Sequence, residues 1–329
     1  MSLAKSVAPL RILISDTALG LLGARLSAVL GNRPYRQVSP GEDADIALVS
    51  RDVTGLSTKH EVRPATQCFY DGLLGAASLR WVHLHSAGAD RPVFVTLHER
   101  GVALTTSSGA NADVVVQTAV GGILALARRF PQLMAAQRAR TWAPLMASGL
   151  PRDLNGQTAL IVGWGPIGQG IGALLRMLGL RVAVARASGT PVDAHTPTVV
   201  FENLAAMLPQ ADWLVLACPL TERTRALVGA EALALMPRHS HLVNVARGEV
   251  VDELALSDAL QDGQLAGAYL DVFAHEPLHA ESLLWGFDNV IVTPHCAGHS
   301  DGIEARVAER FLANLRRWLH GDELLYTVN

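Results

Sequence analysis

The chain has 329 residues, a length that predicts two domains, and half of its residues are hydrophobic while only 17% are charged. This composition excludes a disordered chain and allows a large buried core. With 27 basic and 30 acidic residues the net charge is −3, which excludes a strongly basic surface for nucleic acid or an anionic membrane.

No segment of the sequence has the pattern of a targeting signal, a membrane span or a metal site. The longest apolar run, Val114–Ala127, is shorter than the roughly 20 residues that cross a bilayer. Cys68, Cys218 and Cys296 are odd in number and lack the spacing of metal ligands or of a disulfide framework. We therefore expect a soluble cytoplasmic protein that binds no metal.

The first third of the sequence alternates short apolar runs with amphipathic segments. The runs that predict buried strands are Leu10–Ser15, Ile46–Val49, Trp81–Leu84 and Val102–Thr105. Leu19–Leu30 and Arg91–Glu99 have the periodicity of helices. Because strands that alternate with helices pair in parallel, this region predicts an α/β unit.

A second alternating series follows Asn111 and begins with a long apolar helix predicted over Asp113–Arg128. The later strands are predicted at Ala159–Val162, Arg181–Ala185, Trp213–Ala217, His241–Asn244, Gly267–Leu270 and Val290–Val292, and the helices at Ile167–Leu178 and Glu253–Asp262. The final amphipathic helix, Gly302–His320, has no strand of its own after Val292. We expect it to pack on the first unit, which makes that domain discontinuous.

The strand predicted over Ala159–Val162 leads directly into the sequence GWGPIG at residues 163–168, and a predicted helix follows. In this context G-x-G-x-x-G is a dinucleotide-binding pattern, although glycines also mark ordinary turns. Gly163 makes the tight turn, Gly165 lets the backbone approach a pyrophosphate, and Gly168 lets helix and strand pack closely. The helix N-terminus supplies N–H donors and the positive end of the helix dipole.

Four chemically versatile side chains, Arg247, Asp271, Glu276 and His295, follow the ends of later predicted strands, where open α/β sheets bind ligands. An arginine can bind a carboxylate through two parallel hydrogen bonds, and an imidazole can exchange a proton near neutral pH. A carboxylate beside the imidazole would stabilise its charged form. The structural alternatives are a surface ion pair for Arg247, a loop carboxylate without a role for Glu276, and a helix or turn cap for Asp271.

Taken in order, these segments resemble the D-isomer-specific 2-hydroxyacid dehydrogenase family over nearly the whole chain. The resemblance is carried by Ser86–Asp90, Leu154–Thr158, the glycine loop, Cys218–Thr221 with Thr224, Asn244–Gly248, Leu270–Phe273, Glu276-Pro277 and Pro294-His295. It implies an NAD(P)-dependent oxidoreductase that interconverts a 2-oxo acid and a D-2-hydroxy acid, of the glyoxylate or hydroxypyruvate reductase kind.

The resemblance also implies roles for individual residues. His295 would be the general acid and base, and Glu276 would orient and charge it. Arg247 would bind the substrate carboxylate, together with backbone N–H groups around Ala87 and Gly88. The glycine loop and the resemblance together assign the cofactor to Gly163, Gly165, Pro166, Ile167, Gly168, Arg186, Ser188, Cys218, Pro219, Thr224, Val245, Ala246, Arg247, Asp271, His295 and Gly298, with Asp271 on the nicotinamide side.

The fold expected from these patterns consists of two doubly wound parallel-sheet α/β domains. A Rossmann dinucleotide-binding domain, residues 112–292, would be inserted into a flavodoxin-like catalytic domain made of residues 1–111 and 293–329. The substrate would bind in the cleft between them. The family resemblance implies a homodimer whose only other partner is its small 2-oxo or 2-hydroxy acid.

The choice between NADP and NAD depends on the residue that ends the second strand of the dinucleotide domain. An NAD site places an acidic residue about 20 positions after the glycine loop, but Arg186 stands there and no carboxylate follows until Asp193. An arginine can pair with a 2′-phosphate, and Ser188 could add a hydroxyl donor. We therefore expect NADP as the preferred cofactor, with NAD held by backbone contacts as the alternative.

A rival interpretation from another class is a dinucleotide-sensing corepressor, which uses the same fold and keeps the catalytic residues. Such proteins typically add tails or peptide-binding grooves, and the sequence has neither a disordered extension nor a basic patch. Turnover of cofactor with a 2-oxo acid would distinguish the two.

Overall fold

The structure is a computed structural model that describes residues 8–147 and 149–328. The contacts among the described residues divide the chain into two compact units. The first unit runs up to Asn111 and resumes at Ser300, and the second unit is Ala112–His299. The return to the first unit was expected at residue 293, whereas residues 293–299 group with the second unit.

The first unit is built on one sheet of five parallel strands. The strands are β1 (Leu10–Leu13), β2 (Tyr35–Val38), β3 (Ile46–Val49), β4 (Trp81–Leu84) and β5 (Ala103–Thr106), and the helices before Asn111 are α1 (Asp16–Leu30), α2 (Arg51–Thr54), α3 (Pro64–Gly75) and α4 (Pro92–Glu99). The sheet order is β2-β1-β3-β4-β5, which is the flavodoxin-like order. All residues of β3 and β4 are buried because helices cover both faces of a parallel sheet.

The second unit is built on a sheet of seven parallel strands. The strands are β6 (Thr158–Val162), β7 (Arg181–Arg186), β8 (Thr198–Val200), β9 (Trp213–Leu216), β10 (His241–Asn244), β11 (Gly267–Leu270) and β12 (Val290–Val292), and the helices are α5 (Ala112–Ala127), α6 (Phe130–Arg138), α7 (Pro166–Met177), α8 (Ala230–Leu235) and α9 (Glu253–Gln261). Short 3-10 helices lie at Leu145–Ala147, Phe201–Ala206, Leu208–Gln210, Gly248–Val250 and Leu283–Trp285. The order β12-β11-β10-β9-β6-β7-β8 contains the Rossmann arrangement. The topological switch point lies between β6 and β9, because the strands on its two sides are added in opposite directions across the sheet.

Successive residues of β6 point to opposite faces of this sheet, so each strand contributes to two cores. Leu160 and Val162 belong to the core on one face, whereas Ala159 and Ile161 belong to the core on the other, together with Ile123 of α5. Both cores consist mainly of aliphatic side chains. The fold class expected from the sequence is confirmed, and the carboxyl ends of the strands from both halves of the sheet meet at one edge.

The last helix, α10 (Ile303–His320), packs in the first unit, as its apolar face predicted. Phe311 is fully buried, and its ring stacks on Trp81 of β4 with the ring centroids 5.4 Å apart. Leu22 and Leu26 of α1 belong to the same core. Among the helices formed by the described residues, none combines the length and hydrophobicity that a membrane span requires.

Candidate active site

The glycine loop connects β6 to α7 at the carboxyl edge of the second sheet. Gly163 has a φ of 97°, and a Cβ added there would come within 2.7 Å of the carbonyl group of Ala217 at the end of β9. Its N–H donates to the carbonyl of Ala185 in β7 at 2.7 Å. An added Cβ at Gly168 would collide with the carbonyl oxygen of Gly163. Only glycine therefore fits at these two positions, and the loop lies against three neighbouring strands.

The N-terminus of α7 has the features that a bound pyrophosphate requires. Gly165 is the N-cap residue and Pro166 the first helical residue, and no side chain of a described residue caps the helix. The first N–H groups of a helix have no partner within it, so they can donate to an anion. A Cβ added at Gly165 would meet no described atom within 4 Å, which leaves open space in front of these donors. The loop therefore fits a dinucleotide.

Two further groups of predicted cofactor residues follow the neighbouring strands. Arg186 is the half-buried last residue of β7, and Ser188 is exposed two positions later. After β9, burial raises the pKa of the Cys218 thiol to about 11. The hydroxyl of Thr224 is engaged in its own turn, because Oγ1 donates to the carbonyl of Pro219 at 2.7 Å and accepts from the N–H of Thr221 at 2.8 Å.

Arg247 is presented by a turn that directly follows β10. The fully buried Asn244 fixes this turn, since its Oδ1 accepts from the N–H of Ala246 at 3.0 Å and its Nδ2 donates to the carbonyl of Arg247 at 3.0 Å. The guanidinium of Arg247 donates to the carbonyl of Ala246 at 2.7 Å. Asn244 lies in a segment that carries the family resemblance, but no role was predicted for it. Its role could have been predicted from its position, because Asn244 is a polar residue at the end of a buried strand.

Glu276 and His295 form a hydrogen-bonded pair. Nδ1 of His295 lies 2.8 Å from Oε2 of Glu276, and the Glu276 side chain is 16% exposed while that of His295 is 49% exposed. Burial alone would raise the pKa of Glu276, but the hydrogen bond and charge of His295, the N–H of Phe273 and the charge of Arg247 together hold it below its ordinary value. The carboxylate is thus ionised near neutral pH and can stabilise a charged imidazole.

The backbone of His295 adopts an uncommon conformation with a φ of 50°, in the left-handed region that most side chains avoid. Its N–H donates to the backbone carbonyl of Asp271 at 2.8 Å. The Asp271 carboxylate accepts the hydroxyl of Thr293 at 2.6 Å and the N–H groups of Cys296 and Ala297 at 2.9 and 3.0 Å. These hydrogen bonds hold the loop that carries His295 in its turn.

Tyr269 supports the same loop from β11. Its hydroxyl lies 2.9 Å from Oγ1 of Thr293, whose own proton goes to Asp271, so Tyr269 is the donor. Burial raises the pKa of Tyr269 to about 12, which keeps this donor protonated at neutral pH. Asp271 is 3% exposed, and its hydrogen bonds with the loop match the structural alternative of a turn cap. A nicotinamide contact by Asp271 stays a prediction.

The predicted carboxylate-binding residues of the first unit follow β4. Ser86 fixes their loop, because its Oγ donates to the carbonyl of Gly88 at 2.7 Å and its carbonyl accepts the N–H of Ser107 at 2.9 Å. Ala87 is exposed between them. Within the described residues, no group of three or more histidine, cysteine or acidic side chains is placed to hold a metal ion.

Comparison with known proteins identifies relatives over most of the chain. The family model described as "D-isomer specific 2-hydroxyacid dehydrogenase, NAD binding domain" matches residues 120–297. The chain is 33% identical over 277 residues to a glyoxylate reductase of Thermococcus kodakarensis, covering 83% of this chain and 82% of that protein. It is 31% identical over 251 residues to a glyoxylate/hydroxypyruvate reductase of Arabidopsis thaliana, covering 76% of each.

A solved structure has the same fold along nearly the full length. It is the D-isomer specific 2-hydroxyacid dehydrogenase of Xanthobacter autotrophicus Py2, determined in complex with NADPH and MES. The two structures superpose with a TM-score of 0.75 at 28% sequence identity, and the match covers 98% of each chain.

Replacing Asp271 by alanine should destabilise the second unit. The change leaves one hydroxyl and two N–H groups of the His295 loop without their acceptor, and each unsatisfied buried donor costs about 1–3 kcal/mol. Urea unfolding followed by circular dichroism should show a loss of about 2 kcal/mol or more. Asp258→Ala, at an exposed position of α9, is the control and should change the free energy of unfolding by no more than about 0.5 kcal/mol. Equal stability of the two variants would contradict the role given to Asp271.

Proposed function

The chain belongs to the D-isomer specific 2-hydroxyacid dehydrogenase family, and we propose that it is an NADPH-preferring reductase of small 2-oxo acids of the glyoxylate and hydroxypyruvate kind. The family makes it an NAD(P)-dependent oxidoreductase. The observation that carries the proposal is the 2.8 Å pair between His295 and the ionised Glu276, in the same unit as a glycine loop that fits a dinucleotide.

The proton chemistry is assigned to His295. Because Nδ1 faces Glu276, Nε2 is the nitrogen left to donate a proton to the carbonyl oxygen during reduction. Glu276 holds the ring orientation and stabilises the charged imidazole before the proton leaves. In the reverse direction, Nε2 accepts the hydroxyl proton of the 2-hydroxy acid.

The substrate carboxylate is assigned to Arg247. Asn244 fixes the backbone on both sides of this arginine, so its guanidinium starts from a defined position. A guanidinium matches a carboxylate through two parallel N–H donors and polarises the adjacent carbonyl. In the first unit, Ser86 holds the loop of Ala87 and Gly88, and carboxylate binding by the backbone N–H groups of that loop stays a prediction.

The dinucleotide is assigned to the carboxyl edge of the second sheet. The N–H groups at the start of α7 would hold the pyrophosphate, and the segments that follow β9, β10 and β11 would hold the ribose and nicotinamide. When bound, the nicotinamide ring supplies the hydride that a 2-oxo acid takes up at its carbonyl carbon. The chain contributes position, charge and a proton.

The preference for NADPH rests on Arg186 and Ser188. Arg186 ends β7, where an NAD site has an acidic residue that binds the ribose hydroxyls. Its guanidinium can pair with a 2′-phosphate, and the exposed Ser188 can donate a hydroxyl to it. NADPH is also the ligand of the related Xanthobacter dehydrogenase.

The corepressor alternative has no support in the comparisons, because the named relatives described above are reductases and a dehydrogenase.

A homodimer is proposed from the segment after α5. Its large apolar side chains are exposed, with Trp142 94%, Met146 81% and Leu150 71% exposed, and Phe130 and Met134 about half. Such a cluster is typical of a surface that a partner covers, and the second copy of the chain is the partner proposed. Light scattering should give twice the 35.0 kDa of one chain, and a monomer would contradict the proposal.

The cytoplasm is proposed as the compartment because Cys68, Cys218 and Cys296 are all free thiols.

The assignment of His295 predicts a specific loss in His295→Ala. Reduction of glyoxylate or hydroxypyruvate by NADPH should slow by about 10²-fold or more, because a general acid contributes at least that factor. Cofactor binding, measured by quenching of protein fluorescence, should be largely retained. His320→Ala, at the exposed end of α10, is the control and should keep wild-type turnover. Near-normal turnover in His295→Ala would refute the proposed mechanism.

The assignment of Arg186 predicts a change in cofactor preference. Arg186→Asp should lower kcat/KM for NADPH relative to NADH, because the carboxylate repels the 2′-phosphate and accepts ribose hydroxyls instead. Steady-state kinetics at a fixed 2-oxo acid would measure the ratio. Arg181→Asp, an exposed residue at the opposite end of β7, is the matched control and should keep the wild-type ratio. A wild-type preference for NADH, or an unchanged ratio in Arg186→Asp, would show that Arg186 does not read the phosphate.

A further inference from the structure

An arginine from another segment, for which no role was predicted from the sequence, binds the backbone of the turn that follows β7. Arg223, in the turn after β9, donates from a terminal guanidinium nitrogen to the carbonyl oxygen of Ala187 at 3.1 Å. Ala187 lies between Arg186 and Ser188, the two residues assigned to the 2′-phosphate. The contact therefore fixes the backbone on which both of these side chains depend.

Arg223 is itself fixed by a bidentate ion pair. Its Nε and its other terminal nitrogen donate to the two carboxylate oxygens of Glu202 at 2.8 and 2.9 Å. Glu202 lies in the 3-10 helix Phe201–Ala206 directly after β8, which pairs with β7. The guanidinium also lies over the Phe201 ring, 5.6 Å from its centroid. One side chain thus ties together the segments that follow β7, β8 and β9.

The ion pair between Arg223 and Glu202 also determines the charge beside the turn that follows β7. Glu202 is ionised at neutral pH, since the hydrogen bond from Arg223 lowers the pKa of its carboxyl. A carboxylate that close to the turn would repel a phosphate, as an acidic residue does in NAD-selective sites. Arg223 cancels that charge and leaves the charge of Arg186 in excess.

We propose that Arg223 is a positioning residue for recognition of the 2′-phosphate of NADPH. It holds the turn of residues 186–189 in place through the Ala187 carbonyl while it neutralises Glu202. This inference rests on the proposed function, which assigns the phosphate to Arg186. Arg223, which is 37 positions after Arg186 in the chain, would then contribute to the discrimination between NADPH and NADH.

Isothermal titration with two cofactor fragments tests the inference without turnover. The fragment 2′,5′-ADP carries the 2′-phosphate and 5′-AMP does not, so the ratio of their Kd values isolates recognition of that group. The wild type should bind 2′,5′-ADP more tightly. Arg223→Gln should reduce this preference by about tenfold, as expected for a charge-assisted contact worth about 1.5 kcal/mol, and should leave the Kd for 5′-AMP within about twofold.

Two further variants make the test specific. Arg225→Gln removes an exposed arginine from the same turn and should keep the wild-type ratio. Arg223→Lys keeps the charge, but one ammonium cannot bind Glu202 with two parallel bonds and Ala187 together, so its ratio should be intermediate. Binding of 5′-AMP reports that each variant is folded.

The outcomes separate this inference from the proposed function. If the wild type prefers 2′,5′-ADP and Arg223→Gln keeps the full preference, the inference is wrong and the role of Arg186 stands. If Arg223→Gln weakens both fragments equally, Arg223 is only structural and the inference is also wrong. If the wild type binds both fragments equally, the NADPH preference fails, and the inference fails with it.

Discussion

The buried carboxylate of Asp271 binds the loop that carries His295, and the position of His295 beside Glu276 depends on that interaction. Three donors of the loop, from Thr293, Cys296 and Ala297, converge on this carboxylate. They stabilise a turn in which His295 has a left-handed backbone, which an isolated chain would rarely adopt. The imidazole therefore reaches Glu276 through hydrogen bonds that the chain makes with itself.

The same edge of the sheet brings the other functional groups close in the fold. β6, β9, β10, β11 and β12 are adjacent and parallel, so the residues that follow them emerge at one edge although Gly163 and His295 are about 130 positions apart. This geometry explains why the glycine loop, the Arg247 turn and the Glu276–His295 pair belong to one unit. It also explains why the candidate site residues of this unit follow strand ends in the sequence.

Sequence patterns predicted the central strands because such patterns report burial. β3 and β10 are apolar runs in a covered sheet, whereas the edge strands β2 and β8 were not predicted. β2 is largely polar and half-exposed, and β8 has only three residues. At the site, the types of residue and their order predicted Arg247, Glu276 and His295. The contacts of Asn244 and Arg223 could not be predicted, because their partners are defined only by the turns and strand pairing of the folded chain.

In the proposed mechanism, the Glu276 carboxylate sustains the charged imidazole that donates the proton. The decisive measurement is the pH dependence of kcat/KM for 2-oxo acid reduction by the wild type and by Glu276→Gln. The activity of Glu276→Gln should fall off at a lower pH than that of the wild type, because an amide no longer stabilises the imidazolium. Superimposable pH profiles for the two proteins would contradict this role of Glu276.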